Sequence, residues 1–192
     1  SCAESVEAIR EAKQKGLSVS GETAPDYLAF SDEDLQDEGR FKMNPPLRSA
    51  EDRAALIRGI CDGTLEIIAT DHAPHTAEEK ALGLRGSAMG VAGLETSFAA
   101  VNTYLCRAGH IGLERLVELM SLNPRKLLGL PGGIRIGQPA DLTVVDRDRK
   151  IIVDPEAFVS KGRATPFAGC ALYGDILLTI YDGAIVYRNT AF

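Results

Sequence analysis

Asp71, His72 and His75 fall within a five-residue span of the stretch IIATDHAPHTAEEK, residues 67–80, in a chain that has three histidines in all. One carboxylate and two imidazoles can bind a divalent metal or move protons near neutral pH. An aspartate beside a metal can take the proton of an attacking water and hand it to the leaving group. An aspartate just past a buried strand can equally cap the next loop or helix. His72 and His75 are separated by Ala-Pro and do not lie on a regular helix. The consecutive residues Asp71 and His72 point different ways, so they do not make a ready ligand pair, and a loop role for the histidines stays open. Asn44, in KMNPPLR, reads either as ordinary loop asparagine or as an amide held rigid by two prolines to hydrogen-bond a carboxylate or imide. Gly86 and Gly90, in GLRGSAMGVAGLETS, either allow backbone to approach a ligand closely or belong to a flexible loop. His110 reads as a partner for the negative end of a helix dipole.

The elements around these residues follow from periodicity. Ala3, Val6, Ile9 and Ala12 recur at three-residue steps, which predicts a surface helix over residues 3–15, stopped by Gly16. LSVSGE, residues 17–22, reads as a strand, so the start is the αβ half of a βαβ unit. Residues 32–41 read as acidic and exposed, and Pro45 and Pro46 set an extended loop. Ser49 with Asp52 reads as a helix N-cap, the helix running to about Cys61 and ending at Asp62-Gly63. LEIIA, residues 65–69, is the apolar run expected of a parallel strand buried on both faces. Asp71 and His72 then lie past its carboxyl end, the edge where catalytic groups collect in α/β proteins. Residues 83–97 read as a loop, 95–107 as a helix, and 113–120 and 124–128 as two short helices. From about Pro131 the pattern changes to DLTVVD, KIIVD and LYGDILLTIYDGAIVY, strands with a hairpin at Asp182-Gly183.

The 192 residues suit one domain or a domain and a half. A hydrophobic content of 45% and a net charge of −6 describe an ordinary soluble chain and argue against nucleic acid or an anionic membrane as partner. No apolar run approaches the ~18 residues of a membrane span. SCAESVEAIREAKQKG reads as an amphipathic helix rather than a signal peptide. Cys2, Cys61, Cys106 and Cys170 form no CxxC pair, as expected of reduced, mostly buried thiols in a cytosolic protein.

Taken in order and spacing, these stretches resemble the dihydroorotase family of the amidohydrolase superfamily over essentially the whole chain. The resemblance is carried by SCAESVEAIREAK, MNPPLRSAEDRAALIRGICDGTLEIIATDHAPHTAEEK, SAMGVAGLET, NPRKLLGL, QPADLTVVD and TPFAGCALYGDILLTIYDGAIVY. It implies an α/β fold: the C-terminal part of a (β/α)8 metal-dependent hydrolase barrel, residues 1–130 with its last two strands and helices, followed by part of a small β-sandwich, residues 131–192. It implies reversible hydrolysis of the cyclic amide of dihydroorotate to carbamoyl aspartate in pyrimidine biosynthesis, in the cytoplasm, with Zn2+ as cofactor. Asp71 matches the family's last metal ligand, which also shuttles the proton. Asn44 and His75 match substrate-holding residues, and Met89 and Gly90 the positions whose backbone faces the substrate ring. His72 matches no fixed role.

GETAPDYL stands where many dihydroorotases read EVTPHHL, so Asp26 and Tyr27 replace two histidines and the stretch is similar to that of hydantoinases. The family's HxH motif, its strand-four lysine or aspartate and its two later histidine ligands have no counterpart here; the expectation is a C-terminal half whose remaining ligands lie before Ser1. Expected partners are a second copy of the chain or the N-terminal half. Alternatives are a hydantoinase-like cyclic amidase, or a noncatalytic homologue that serves as a structural partner of aspartate transcarbamoylase.

Overall fold

Helices α1 (Ala3–Gln14) and α3 (Ala50–Asp62) form where the apolar spacing puts them, and they are clamped together at both ends. The Ser49 hydroxyl accepts the Asp52 amide at 3.2 Å, the Asp52 carboxylate accepts the Ala3 amide at 2.7 Å, and Arg10 reaches Asp62 at 2.8 Å. Gly63, at φ +84°, ends α3 in the left-handed conformation that favours glycine. The structure, a computed structural model, describes residues 1–190.

Two short parallel strands, β1 (Glu22–Thr23) and β2 (Ile67–Ile68), pair Glu22 to Ile67 and Thr23 to Ile68. Ile67 and Ile68 are both buried, as a parallel strand covered on two faces requires. The expected strand over 17–22 is confined to its end. Val19 N–H bonds the Leu17 carbonyl at 3.0 Å, a turn that bends the chain before it reaches Ile67. β1 feeds directly into α2 (Pro25–Ala29), and β2 into the loop that carries Asp71, His72 and His75. Two short helices follow, α4 (Ala77–Lys80) and α5 (Gly83–Gly86); the latter occupies part of what reads in sequence as loop.

Helix α6 spans 97–107: Ser97–Val101 is α-helical and Asn102–Arg107 is wound wider, in π-helical spacing. The two helices expected at 113–120 and 124–128 are one, α7, at 113–127. Pro124 has no N–H for a regular turn, and the wider π spacing at Glu118–Leu122 takes up that defect without breaking the helix. The core lies among α1, α3, β2, α6 and α7, with Ile60, Leu105 and Leu119 fully buried.

The C-terminal strands β3 (Leu142–Ile152), β4 (Ala171–Tyr181) and β5 (Ala184–Arg188) make an antiparallel sheet in the order β3-β4-β5. DLTVVD and KIIVD belong to one bulged strand. The β4–β5 turn has Asp182 and Gly183 both at positive φ, +48° and +78°, the twist that suits a two-residue hairpin. Buried Asn102 ties the sheet to α6: its amide donates to the Arg147 carbonyl at 3.0 Å and the Tyr173 carbonyl at 2.8 Å. A ring cluster of Phe30, Tyr104 and Phe167 fills the same seam, with Phe30 and Phe167 centroids 5.0 Å apart.

The thiols are less buried than the sequence predicts. Cys61 is exposed on the outer face of α3, and Cys2, Cys106 and Cys170 are partly exposed; all four are free. Residues 32–41 form two 3-10 turns rather than a uniformly exposed stretch, because Phe41 turns into the core against Phe30. No helix among the described residues is long and apolar enough to cross a membrane.

Candidate active site at the carboxyl edge of the parallel strands

Parallel pairing sends the carboxyl ends of β1 and β2 to one edge. Because Thr23 is opposite Ile68, Asp26 and Asp71 stand at the same offset, three residues beyond the paired positions. Asp71 is exposed, with its backbone in the left-handed region at φ +49°, a conformation that aspartate tolerates better than most residues. Asp26 is buried at 3% exposure, and its Oδ1 has no hydrogen-bond partner among the described residues. Burial, helped by the negative charge of Asp71, pushes the Asp26 carboxyl up from 3.8 to about 7. The neighbouring Tyr27 hydroxyl donates to the Pro45 carbonyl at 2.8 Å, so α2 holds the Asn44–Pro45 turn, where the peptide bond is cis and Asn44 is exposed.

His72 turns away from Asp71. Its Nδ1 accepts the Gly93 and Leu94 amides, both at 3.2 Å, and the residue bridges to Val91 in parallel fashion. With Nδ1 occupied by two backbone donors, this imidazole is an anchor for the 91–94 loop. His75 does meet the glycine loop: Nε2–H donates to the Met89 carbonyl at 3.0 Å, with Nδ1 3.4 Å from the Glu79 carboxylate. Gly90 is buried at φ +137°, and a Cβ there would lie 2.6 Å from the Ala73 carbonyl oxygen and 3.1 Å from His75 Nε2. From the far side the chain between β3 and β4 closes over this loop: Gly162 leaves no room for a Cβ against Pro74 and His75, and Glu95 accepts the Val159 and Ser160 amides at 2.9 and 3.0 Å.

Gly90→Ala is therefore expected to destabilise the chain by about 2–3 kcal/mol, strain and overlap together. Gly109→Ala, also at positive φ but with open space around it, should cost about 1 kcal/mol. Urea unfolding checks the pair; equal losses at the two positions would mean that the overlap at Gly90 is relieved without cost.

Asp26 and Tyr27, noted in the sequence only as replacements for two histidines, and Lys80, which the sequence does not single out, hold this edge together. Lys80 closes α4 at 8% exposure, and its ammonium donates to the carbonyls of Lys42 at 3.0 Å, Ala88 at 2.8 Å and Gly90 at 2.7 Å. Burial, with the nearby Lys42 charge, lowers its pKa from the ordinary lysine value. Its signal in sequence is only that it ends a capped turn, Thr76 to Glu79, immediately after His75.

No group of three or more His, Cys, Asp or Glu side chains among the described residues is arranged to hold a metal ion. Asp71, exposed at the edge, can supply one carboxylate ligand; His72 Nδ1 is already engaged. By themselves these residues offer a metal a single carboxylate and not a ligand set.

A family profile described as the amidohydrolase family matches residues 3–186. The chain belongs to the amidohydrolase family. It is 49% identical over 192 residues to the dihydroorotase of Brevibacillus brevis and 50% identical over 190 residues to that of Desulforapulum autotrophicum, covering 98% of this chain in both cases and 45% and 44% of the relatives. The Bacillus subtilis dihydroorotase is 44% identical over 188 residues. Among solved structures, the L-hydantoinase (dihydropyrimidinase) of Arthrobacter aurescens superposes with a TM-score of 0.89 at 33% identity, and the dihydropyrimidinase of Brevibacillus agri with 0.90 at 28%. Each superposition covers 98% of this chain and 43% of the other. The chain thus has an amidohydrolase fold in part, and spans less than half the length of the curated relatives it matches. Membership of the family implies a metal cofactor.

Proposed function

We propose that the full-length protein carrying this chain is a zinc-dependent dihydroorotase, which reversibly hydrolyses the cyclic amide of (S)-dihydroorotate to N-carbamoyl-L-aspartate. The observation that carries this reading is the similarity to dihydroorotases along 98% of the chain. In this reading residues 1–130 are the last part of a (β/α)8 barrel and 131–192 part of a β-sandwich. The enzyme serves pyrimidine biosynthesis in the cytoplasm, assembling with further copies or with its own N-terminal half. Aspartate transcarbamoylase is a candidate partner.

Zinc, when bound, supplies polarisation of the scissile carbonyl and activation of water. Asp71 contributes one ligand, takes the proton of the attacking water, and returns it to the ring nitrogen as the C–N bond breaks, so no net proton is consumed at the carboxylate. Asn44, His75 and the backbone at Met89 and Gly90 hold the ring. His75 is fixed for this by its bond to the Met89 carbonyl, and Asn44 by the Tyr27 clasp on Pro45.

The Asp26–Tyr27 pair favours a second reading, a hydantoinase-like amidase, because hydantoinases carry a similar stretch. A substrate panel on the purified, zinc-loaded full-length protein separates the two. Turnover of dihydroorotate and formation of it from carbamoyl aspartate are expected; turnover of hydantoin or dihydrouracil with none of dihydroorotate would overturn the proposal.

A further inference from the structure

Lys80 holds a buried charge with no carboxylate among its hydrogen-bond partners in the described residues. An ammonium taken out of water is stable only when its three N–H groups are satisfied. Here they are satisfied by three carbonyls from two separate loops: Lys42, two residues before Asn44, and Ala88 and Gly90, on either side of Met89. The same carbonyl of Lys42 also accepts the Gly90 amide at 3.0 Å. The packing here is close, since a Cβ on Gly39 would sit 2.1 Å from the Lys80 carbonyl oxygen and 2.4 Å from Ser87 Oγ.

The consequence is a fixed orientation of the three peptides from Ala88 to Val91. A trans peptide is planar, with its C=O and N–H pointing opposite ways. The Ala88 and Gly90 carbonyls face Lys80, so the Met89 and Val91 amides are directed away from it, while the Met89 carbonyl faces His75. Outside regular secondary structure, alternation of this kind is kept only where partners hold the carbonyls, as Lys80 and His75 do here. Each of these bonds is charge-assisted and stronger than a neutral pair.

We propose that Lys80 is a positioning residue of the substrate site: by gathering the Lys42, Ala88 and Gly90 carbonyls it joins the Asn44 segment to the Met89–Gly90 loop and turns the Met89 amide toward a substrate oxygen. The inference rests on the reading of Asn44, His75, Met89 and Gly90 as substrate-holding residues. It concerns binding rather than bond breaking, because Lys80 is buried behind the loop and has no N–H left for a ligand.

The test uses Lys80→Met and Lys80→Gln in the zinc-loaded full-length protein. Glutamine keeps two N–H donors and protects against the outcome that the methionine variant does not fold. Two readouts are taken: KM and kcat for dihydroorotate, well below each variant's Tm, and amide hydrogen exchange at residues 86–92. For Lys80→Met we expect KM to rise by about tenfold or more with kcat within about threefold, and exchange at Gly90, whose amide the Lys42 carbonyl holds, to accelerate by a similar factor, Lys80→Gln lying between. A lowered Tm with KM within about twofold and unchanged exchange would make Lys80 merely structural and overturn the inference. If the unaltered protein does not turn over dihydroorotate, the functional reading fails by itself. Exchange at residues 86–92 then still decides whether Lys80 sets the loop, and unchanged exchange overturns it.

Discussion

Asp71→Asn in the full-length protein is expected to lower kcat for dihydroorotate by about 10³-fold, the range seen when a positioned acid–base group is removed. Asparagine is the informative substitution. Asp71 sits at φ +49°, and asparagine accepts that conformation as readily as aspartate does, whereas alanine or valine would add backbone strain and confuse the result. The amide keeps size and shape but can neither carry the proton nor act as an anionic ligand. The side chain is exposed and makes no hydrogen bond among the described residues, so no packing is lost; removing its charge beside Asp26 should, if anything, raise stability slightly near neutral pH. Turnover and metal content measured on the same preparation check this. A kcat within tenfold of the unaltered protein would remove Asp71 from the chemistry. Lost activity with full metal occupancy would assign it the proton transfer and leave the ligand role to other groups.

Asp71 was legible from the sequence because its evidence is local. A buried apolar run followed at once by a carboxylate needs nothing distant to be read as a strand end with a polar group on it. The same holds for α3, whose start at Ser49 and stop at Gly63 are written in neighbouring residues, and for the hairpin at Asp182-Gly183. What was not legible depends on partners far along the chain. Lys80 ends an acidic, helix-prone stretch and has the look of a solvated surface lysine. Its burial follows from carbonyls 38, 8 and 10 residues away that only the fold brings to it. His72 has no fixed role in the sequence, and only the fold shows its ring nitrogen taken by the 93–94 amides. The break in the expected 17–22 strand has the same origin: the local sequence suggests extended backbone, but pairing exists only where Glu22 and Thr23 find Ile67 and Ile68. The parallel register that carries Asp26 to the side of Asp71 joins residues 45 positions apart, and no periodicity within either segment announces it.

That register makes Asp26 the source of the second large effect, a pH-dependent loss of stability in the chain itself. The folded state holds the Asp26 proton up to about pH 7, whereas the unfolded chain releases it near 3.8. Between those values the folded state binds more protons than the unfolded one, so stability falls as pH rises. The favourable contribution is whole below about pH 4, is lost progressively through the window, and is gone above about pH 7. At 1.36 kcal/mol per pH unit the difference amounts to about 4 kcal/mol. That is a large share of the total for a chain of this size. Asp26→Asn resembles the protonated acid and cannot ionise, so it should match the unaltered chain near pH 4 and exceed it by several kcal/mol at pH 8. Urea unfolding of both proteins at half-unit steps from pH 4 to 8 measures this directly. A difference that stays constant across the range, or that grows toward acid, would mean that water or a cation reaches the Asp26 carboxylate and that the two aspartates are not coupled by burial. A converging result at pH 4 with divergence above 5 would establish that Asp26 keeps its proton in the folded chain well above the ordinary carboxylate range, so that burial and not solvent sets its ionisation at this edge.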